Sequence, residues 1–128
     1  MEVNDFDFEV KIKTPRFPTE DKERILSCLS KLFPKTEWTV KEEEIEGTSK
    51  YLTRFKMTLE DMQIRDTARN YMKNRLIGNK CSFTLSKQAA CSEKINFSER
   101  EHSLGGVEVE IICDDIVRLI ENLTEIEE

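Results

Sequence analysis

Two stretches carry residues whose types and spacing could do chemistry. The first is Arg65, Arg69 and Lys73, at i, i+4 and i+8. On a helix this spacing stacks three cations along one edge, where they could track the phosphates of an anionic polymer. The alternative is an exposed helix edge whose aliphatic stems cover core atoms. The second stretch is Thr84–Phe97, TLSKQAACSEKINF. Lys87 continues the buried phase of Cys81, Phe83 and Leu85, and a buried ammonium needs either a partner or a bend in the chain. The strand is therefore expected to end near Ser86, with Ala89 and Ala90 allowing close backbone packing. Gln88 and Asn96 then approach one another in a hairpin-like return. There the two amides, with Lys87 and Lys94, either staple the corner or read a nucleotide.

Other chemistries find less support. Cys91 and His102 could act as nucleophile and base, but no third group is implied to orient them. Cys28, Cys81, Cys91 and Cys113 are scattered without a C-x-x-C pair, and His102 is the one histidine. That is not the pattern of a zinc site, so no metal or cofactor is expected. Cys28, Cys81 and Cys113 fall in apolar phases and are expected to be reduced core thiols. The four glycines include no phosphate-cradling loop, since Gly105-Gly106 leads into a strand. The expectation is a protein that is not an enzyme.

The net charge of -6 argues against coating nucleic acid by bulk electrostatics. The charge is segregated, however. Arg65 to Arg100 holds eight basic and three acidic residues, a balance of +5, and the remainder holds 12 basic and 23 acidic, or -11. One part of the surface is thus suited to an anionic partner.

The elements that must position these residues follow from periodicity. Phe6, Phe8, Val10 and Ile12 alternate with charged residues, which predicts a half-buried strand ended by Pro15 and Pro18. Thr19 is the expected cap of a first helix with Ile25, Leu26, Leu29, Leu32 and Phe33 on its apolar face. Trp38 and Val40 predict a second strand that turns near Gly47. Helical period runs from about residue 49 to 76, with a break within Met57–Asp61, and Gly78-Asn79 is the expected cap. Cys81–Leu85 predicts a third strand, Ile95 and Phe97 a short fourth, and Val107–Ile111 a fifth. Asp114 or Asp115 caps a last helix with Ile116, Leu119, Ile120 and Leu123 inward. An acidic tail from about residue 124 is expected to fray.

The 128 residues suit one α+β domain over 1–128: a largely antiparallel sheet with helices packed on one face. The open face would carry Lys11, Lys13, Ser82, Thr84, Lys94, Asn96, Glu108 and Glu110. Mean hydropathy is -0.57, and the acidic N-terminus is unlike a signal peptide. A cytoplasmic protein with no membrane partner is expected.

The stretch GNKCSFTLSKQAACSEKINF, with PTEDKERIL, QIRDTARNYM and HSLGGVEVEI in that order, resembles an archaeal family of small uncharacterised proteins regarded as RNA-binding. The resemblance covers Val3 to about Leu123. It implies a fold similar to the 5S-RNA-binding protein of the large ribosomal subunit. It implies no catalytic residues. Lys87, Gln88, Ala89, Ala90, Asn96 and Phe97 match the central motif, as do Arg65, Asp66 and Arg69 in the helix. The chain departs from it at Ser86, where asparagine is expected, and at Glu93, where glycine is expected. The leading expectation is a non-catalytic RNA-binding or ribonucleoprotein-associated protein that uses Arg65, Arg69, Lys73, Lys87 and Lys94 on phosphates and Gln88 and Asn96 as amide donors and acceptors. The second is a protein-interaction module, for example a homodimer. A small-anion enzyme ranks third.

Overall fold

Alternation in the first strand has its expected cause. In β1 (Phe8–Pro15) the side chains of Phe8, Val10, Ile12 and Thr14 are buried, while Lys11 and Lys13 face solvent. A computed structural model describes residues 2–98 and 106–125. The expected roles of Arg100, His102 and Gly105, and the fraying of the last three residues, lie outside the described residues. Helix α1 (Lys22–Leu32) begins at Asp21, whose carboxylate accepts from the Glu23 amide at 3.0 Å. The cap is therefore Asp21 and not Thr19; the two residue types serve that position comparably well.

The second strand is two strands. β2 (Glu37–Val40) and β3 (Glu44–Ser49) form an antiparallel pair, closed by Lys41 N donating to Glu44 O at 2.8 Å. Gly47 is thus mid-strand, directly opposite Trp38. A Cβ at Gly47 would sit 2.5 Å from the Trp38 ring carbons. The glycine makes room for an indole crossing the strand and does not mark a turn.

The long helical stretch divides, as expected, into α2 (Thr53–Asp61) and α3 (Arg65–Lys73). The junction comes just after the expected break, at Met62–Ile64. Gln63 takes a φ of 58°, and Gln63 N and Ile64 N close back on Glu60 O and Leu59 O, the bond pattern of a left-handed C-cap. Gly78-Asn79 does not cap α3. It turns the hairpin between β4 (Leu76–Ile77) and β5 (Lys80–Leu85), with Gly78 at a φ of 62°.

After β5 come α4 (Lys87–Cys91), β6 (Phe97–Ser98), β7 (Val107–Cys113) and α5 (Ile116–Leu123). The fourth strand is shorter than expected, so Lys94 and Asn96 lie in the loop before it and not on the sheet face. Asp115 occupies the cap position of α5, but its carboxylate pairs with Arg118 at 3.0 Å instead of a backbone amide.

The strands form one antiparallel sheet in the order β2-β3-β1-β7-β5-β4, with β6 also pairing β5. Lys11 lies opposite Thr48 and Glu110, and Lys13 opposite Glu46 and Glu108. The other face joins Val10, Ile12, Phe83, Val109 and Ile111 to Leu29, Phe55, Met72, Leu119 and Ile120 of the helices in a single buried cluster. This is the α+β arrangement expected: one wet face, one face covered by helices.

Candidate functional site

Arg65, Arg69 and Lys73 form the expected ridge on α3, and the ridge faces the C-terminal end of α5. Arg65 donates to Glu125 O at 3.1 Å, and Arg69 donates to Thr124 Oγ1 at 2.9 Å and Thr124 O at 3.0 Å. Lys73 pairs with Glu121 at 3.1 Å. The last carbonyls of a helix lack intrahelical donors and carry partial negative charge; Arg65 and Arg69 donate to carbonyls at that end, and with the Lys73–Glu121 pair they fasten α5 to α3. Thr124 is fully buried, and its own hydroxyl donates to Ile120 O at 2.7 Å.

The second stretch folds into a corner. Ser86 ends β5 and caps α4, its hydroxyl accepting from Ala89 N at 3.2 Å. Serine and asparagine serve equally at such a cap, which accounts for the departure from the family pattern. Ser86 N donates to Asn96 O at 2.9 Å, which ties down the returning chain. Ala90 is buried, where a small residue lets α4 lie close to α1. Cys91 is joined to Cys28 by a disulfide across 63 residues. The expectation that Cys28 is a reduced thiol is thus corrected, and Cys91 is not available as a nucleophile. Their pairing was not foreseen because it depends on the docking of α4 against α1, which spacing does not reveal.

Lys87 stays in the buried phase, 7% exposed. Its Nζ donates to Pro15 O at 2.8 Å and to both Glu20 oxygens at 3.0 and 3.2 Å, and lies 5.6 Å from the centre of the Phe17 ring. Glu20 also accepts from Phe17 N at 3.1 Å. The buried ammonium has found the partner it needs. Lys87 therefore pins α4 to the turn after β1 from inside the fold.

Helix α4 ends as α2 does. Glu93 N and Lys94 N donate to Ala90 O and Ala89 O at 3.0 and 2.9 Å, with Glu93 at a φ of 57°. A left-handed C-cap favours glycine, the residue the resemblance leads one to expect there. Around this corner Gln88, Lys94 and Asn96 are exposed. Of these Lys94 lines a crevice of about 200 Å³, with Lys31, Arg54, Asp61, Ser92 and Glu93 among others. Lys31 donates to Cys91 O at 3.2 Å. Sequence reasoning missed Lys31 and Arg54, which come from α1 and α2 and carry no spacing signal.

The open sheet face bounds a larger hollow of about 670 Å³ over Lys11, Lys13, Arg75, Glu108 and Glu110. Its charges answer one another: Lys13–Glu44 at 3.4 Å, Lys41–Glu46 at 3.1 Å and Lys80–Glu110 at 3.8 Å. Hydrogen bonding and charge from Glu46 hold the Lys41 ammonium above its ordinary range. This face is a mixed lattice and a poor seat for a polyanion.

Cys81 and Cys113 are free and buried, as expected, and burial pushes the Cys81 thiol up to about 12 and raises Cys113 as well. Among the described residues, no group of three or more His, Cys, Asp or Glu is placed to hold a metal ion. No helix among them is long and apolar enough to cross a membrane.

A family model described as RNA binding matches residues 9–113, from the first strand to the end of β7. The chain belongs to this family. A UPF0201 protein of Methanothermobacter thermautotrophicus is 38% identical over 116 residues, covering 88% of each chain. A UPF0201 protein of Methanocaldococcus jannaschii is 34% identical over 123 residues, covering 90% of this chain and 71% of that one. A crystal structure of the UPF0201 protein from Methanococcus jannaschii superposes with a TM-score of 0.85 at 31% identity, covering 94% of this chain and 95% of the other. That relative thus shares the architecture described above.

Proposed function

We propose that this protein binds RNA without acting on it chemically, through the corner formed by α4 and the loop that follows. The observation that carries this reading is the group of exposed, chemically suited side chains there: Lys94 with Lys31 and Arg54 for phosphates, and Gln88 and Asn96 for amide hydrogen bonds. The RNA-binding description of the family supports the RNA partner. Of the remaining residues singled out by sequence, Arg65, Arg69 and Lys73 brace α5, and Lys87 holds the corner from beneath. Phe83 is buried in the core and Phe97 packs half-buried against it, so the reading gives recognition to backbone and polar contacts and not to base stacking. Likeness to the 5S-RNA-binding ribosomal protein, and a cytoplasmic site of action, belong to the same proposal; the antiparallel α+β sheet suits the former. Anisotropy titration of a single-stranded RNA against the wild type and the Lys94→Ala/Arg54→Ala variant tests it. Weaker binding by the variant is expected, and unchanged binding would reject this surface.

A second reading, pairing of two copies, draws on one observation. Ile77, on the short edge strand β4, is 79% exposed, and an exposed edge is a template for further strands. Light scattering of the wild type and of Ile77→Lys separates the readings: a dimer that the substitution dissociates favours this one.

A further inference from the structure

The crevice beside α4 has a feature that simple anion binding does not explain. Three cations, Lys31, Arg54 and Lys94, and two carboxylates, Asp61 and Glu93, line about 200 Å³. Elsewhere on the surface such neighbours pair off, as Lys13–Glu44 and Lys73–Glu121 do. Among the described residues, none of these five makes an ion pair within 4.0 Å, and Lys31 reaches the Cys91 carbonyl instead. Both signs of charge are therefore presented to an occupant. A bare anion would face two carboxylates, and a polycation would face three cations. A group with acidic oxygens at one end and hydroxyl donors at the other satisfies both sets. We propose that the crevice takes one ribose-phosphate unit, with the phosphate on Arg54, Lys31 and Lys94 and the ribose hydroxyls donating to Asp61 or Glu93.

The proposal rests on the RNA-binding reading and deepens it, because the 2′-hydroxyl is the group that distinguishes RNA from DNA. The size is suitable: about 200 Å³ is room for a sugar and a phosphate. The walls are held in place before binding, which lowers the cost of ordering them. The Cys28–Cys91 disulfide fixes α4 to α1, and the left-handed cap at Glu93 fixes the Ser92–Lys94 segment.

The test has two arms on the full chain. Amide NMR titration with ribose 5-phosphate and with 2-deoxyribose 5-phosphate examines the crevice alone. Anisotropy with single-stranded RNA and DNA of one sequence examines the polymer. Shifts at Lys31 and Ser92–Lys94 are expected, together with an RNA preference of about tenfold or more, the worth of one hydrogen bond to a charged group. Asp61→Ala with Glu93→Ala, which removes both acceptors, should collapse that preference towards one, while Arg54→Ala with Lys94→Ala should weaken RNA and DNA alike. RNA binding without preference over DNA, or a preference that survives Asp61→Ala with Glu93→Ala, overturns the crevice assignment and leaves RNA binding standing. Crevice shifts with ribose 5-phosphate but no RNA binding uphold the subsite, reject the RNA reading and point to a free sugar phosphate. Neither shifts nor binding overturns both.

Discussion

Lys87 is the residue on which sequence motif and folded structure assign different work, and a double-mutant cycle with Glu20 decides between them. The side chains of the pair are 8% and 13% exposed, with Nζ and Oε1 at 3.0 Å. Lys87→Met leaves the Glu20 carboxylate with the Phe17 amide as its one remaining described donor. Removing one partner of a buried pair in this way should cost about 3 kcal/mol. Glu20→Gln keeps the shape and one acceptor oxygen but removes the charge that faces the buried ammonium, a loss of about 2 kcal/mol. With both changes no buried charge is stranded, so the double variant should lose about 3 kcal/mol rather than 5, a coupling of about 2 kcal/mol. Urea unfolding without reductant reads these values as shifts in midpoint at constant slope. RNA affinity of the Lys87→Met variant should stay within about threefold of wild type at 25 °C, since its ammonium does not reach the surface. A stability loss below about 1 kcal/mol together with a tenfold loss of RNA affinity would refute the reasoning and restore Lys87 as a ligand.

Three further outcomes follow from the same geometry. Cleaving the Cys28–Cys91 link, by reductant or by Cys91→Ser, opens a loop of 63 residues and should lower stability by roughly 2–4 kcal/mol in denaturant titration; an unchanged midpoint would mean the link is absent in solution. Gly47→Ala drives a Cβ to 2.5 Å from the Trp38 ring and should cost about 1–3 kcal/mol by overpacking, read as a lower Tm. With the Cys81 pKa pushed up to about 12, its thiolate fraction at pH 8 is about one in 10⁴, and alkylation by iodoacetamide should be slow and rise about tenfold per pH unit while the fold persists. Labelling of native Cys81 at the rate of a free thiol would contradict that burial.

The strands were legible where one face is buried along several residues, as in β1, β5 and β7. Helix α4 was not, because five residues are too few for a 3.6-residue period to register. β3 alternates correctly through Ile45 and Ser49, but Gly47 imitates a turn until Trp38 is known to lie across it. The need of Lys87 for a partner could be read from its phase. That the partner is Glu20, 67 residues earlier, could not. The spacing of Arg65, Arg69 and Lys73 was read correctly, but the α5 terminus that occupies them is a tertiary fact. Lys31 and Arg54 join the corner for the same reason, from two other helices.

RNA affinity as a function of salt measures the central claim most directly. Each phosphate neutralised on a single strand contributes about 0.7 to the slope of log K against log salt. The wild type should give a steep linear fall, and Arg54→Ala with Lys94→Ala a slope shallower by about 1.4 and a weaker affinity at every salt concentration. Identical slopes and affinities for the two proteins would contradict the assignment of RNA binding to the α4 corner.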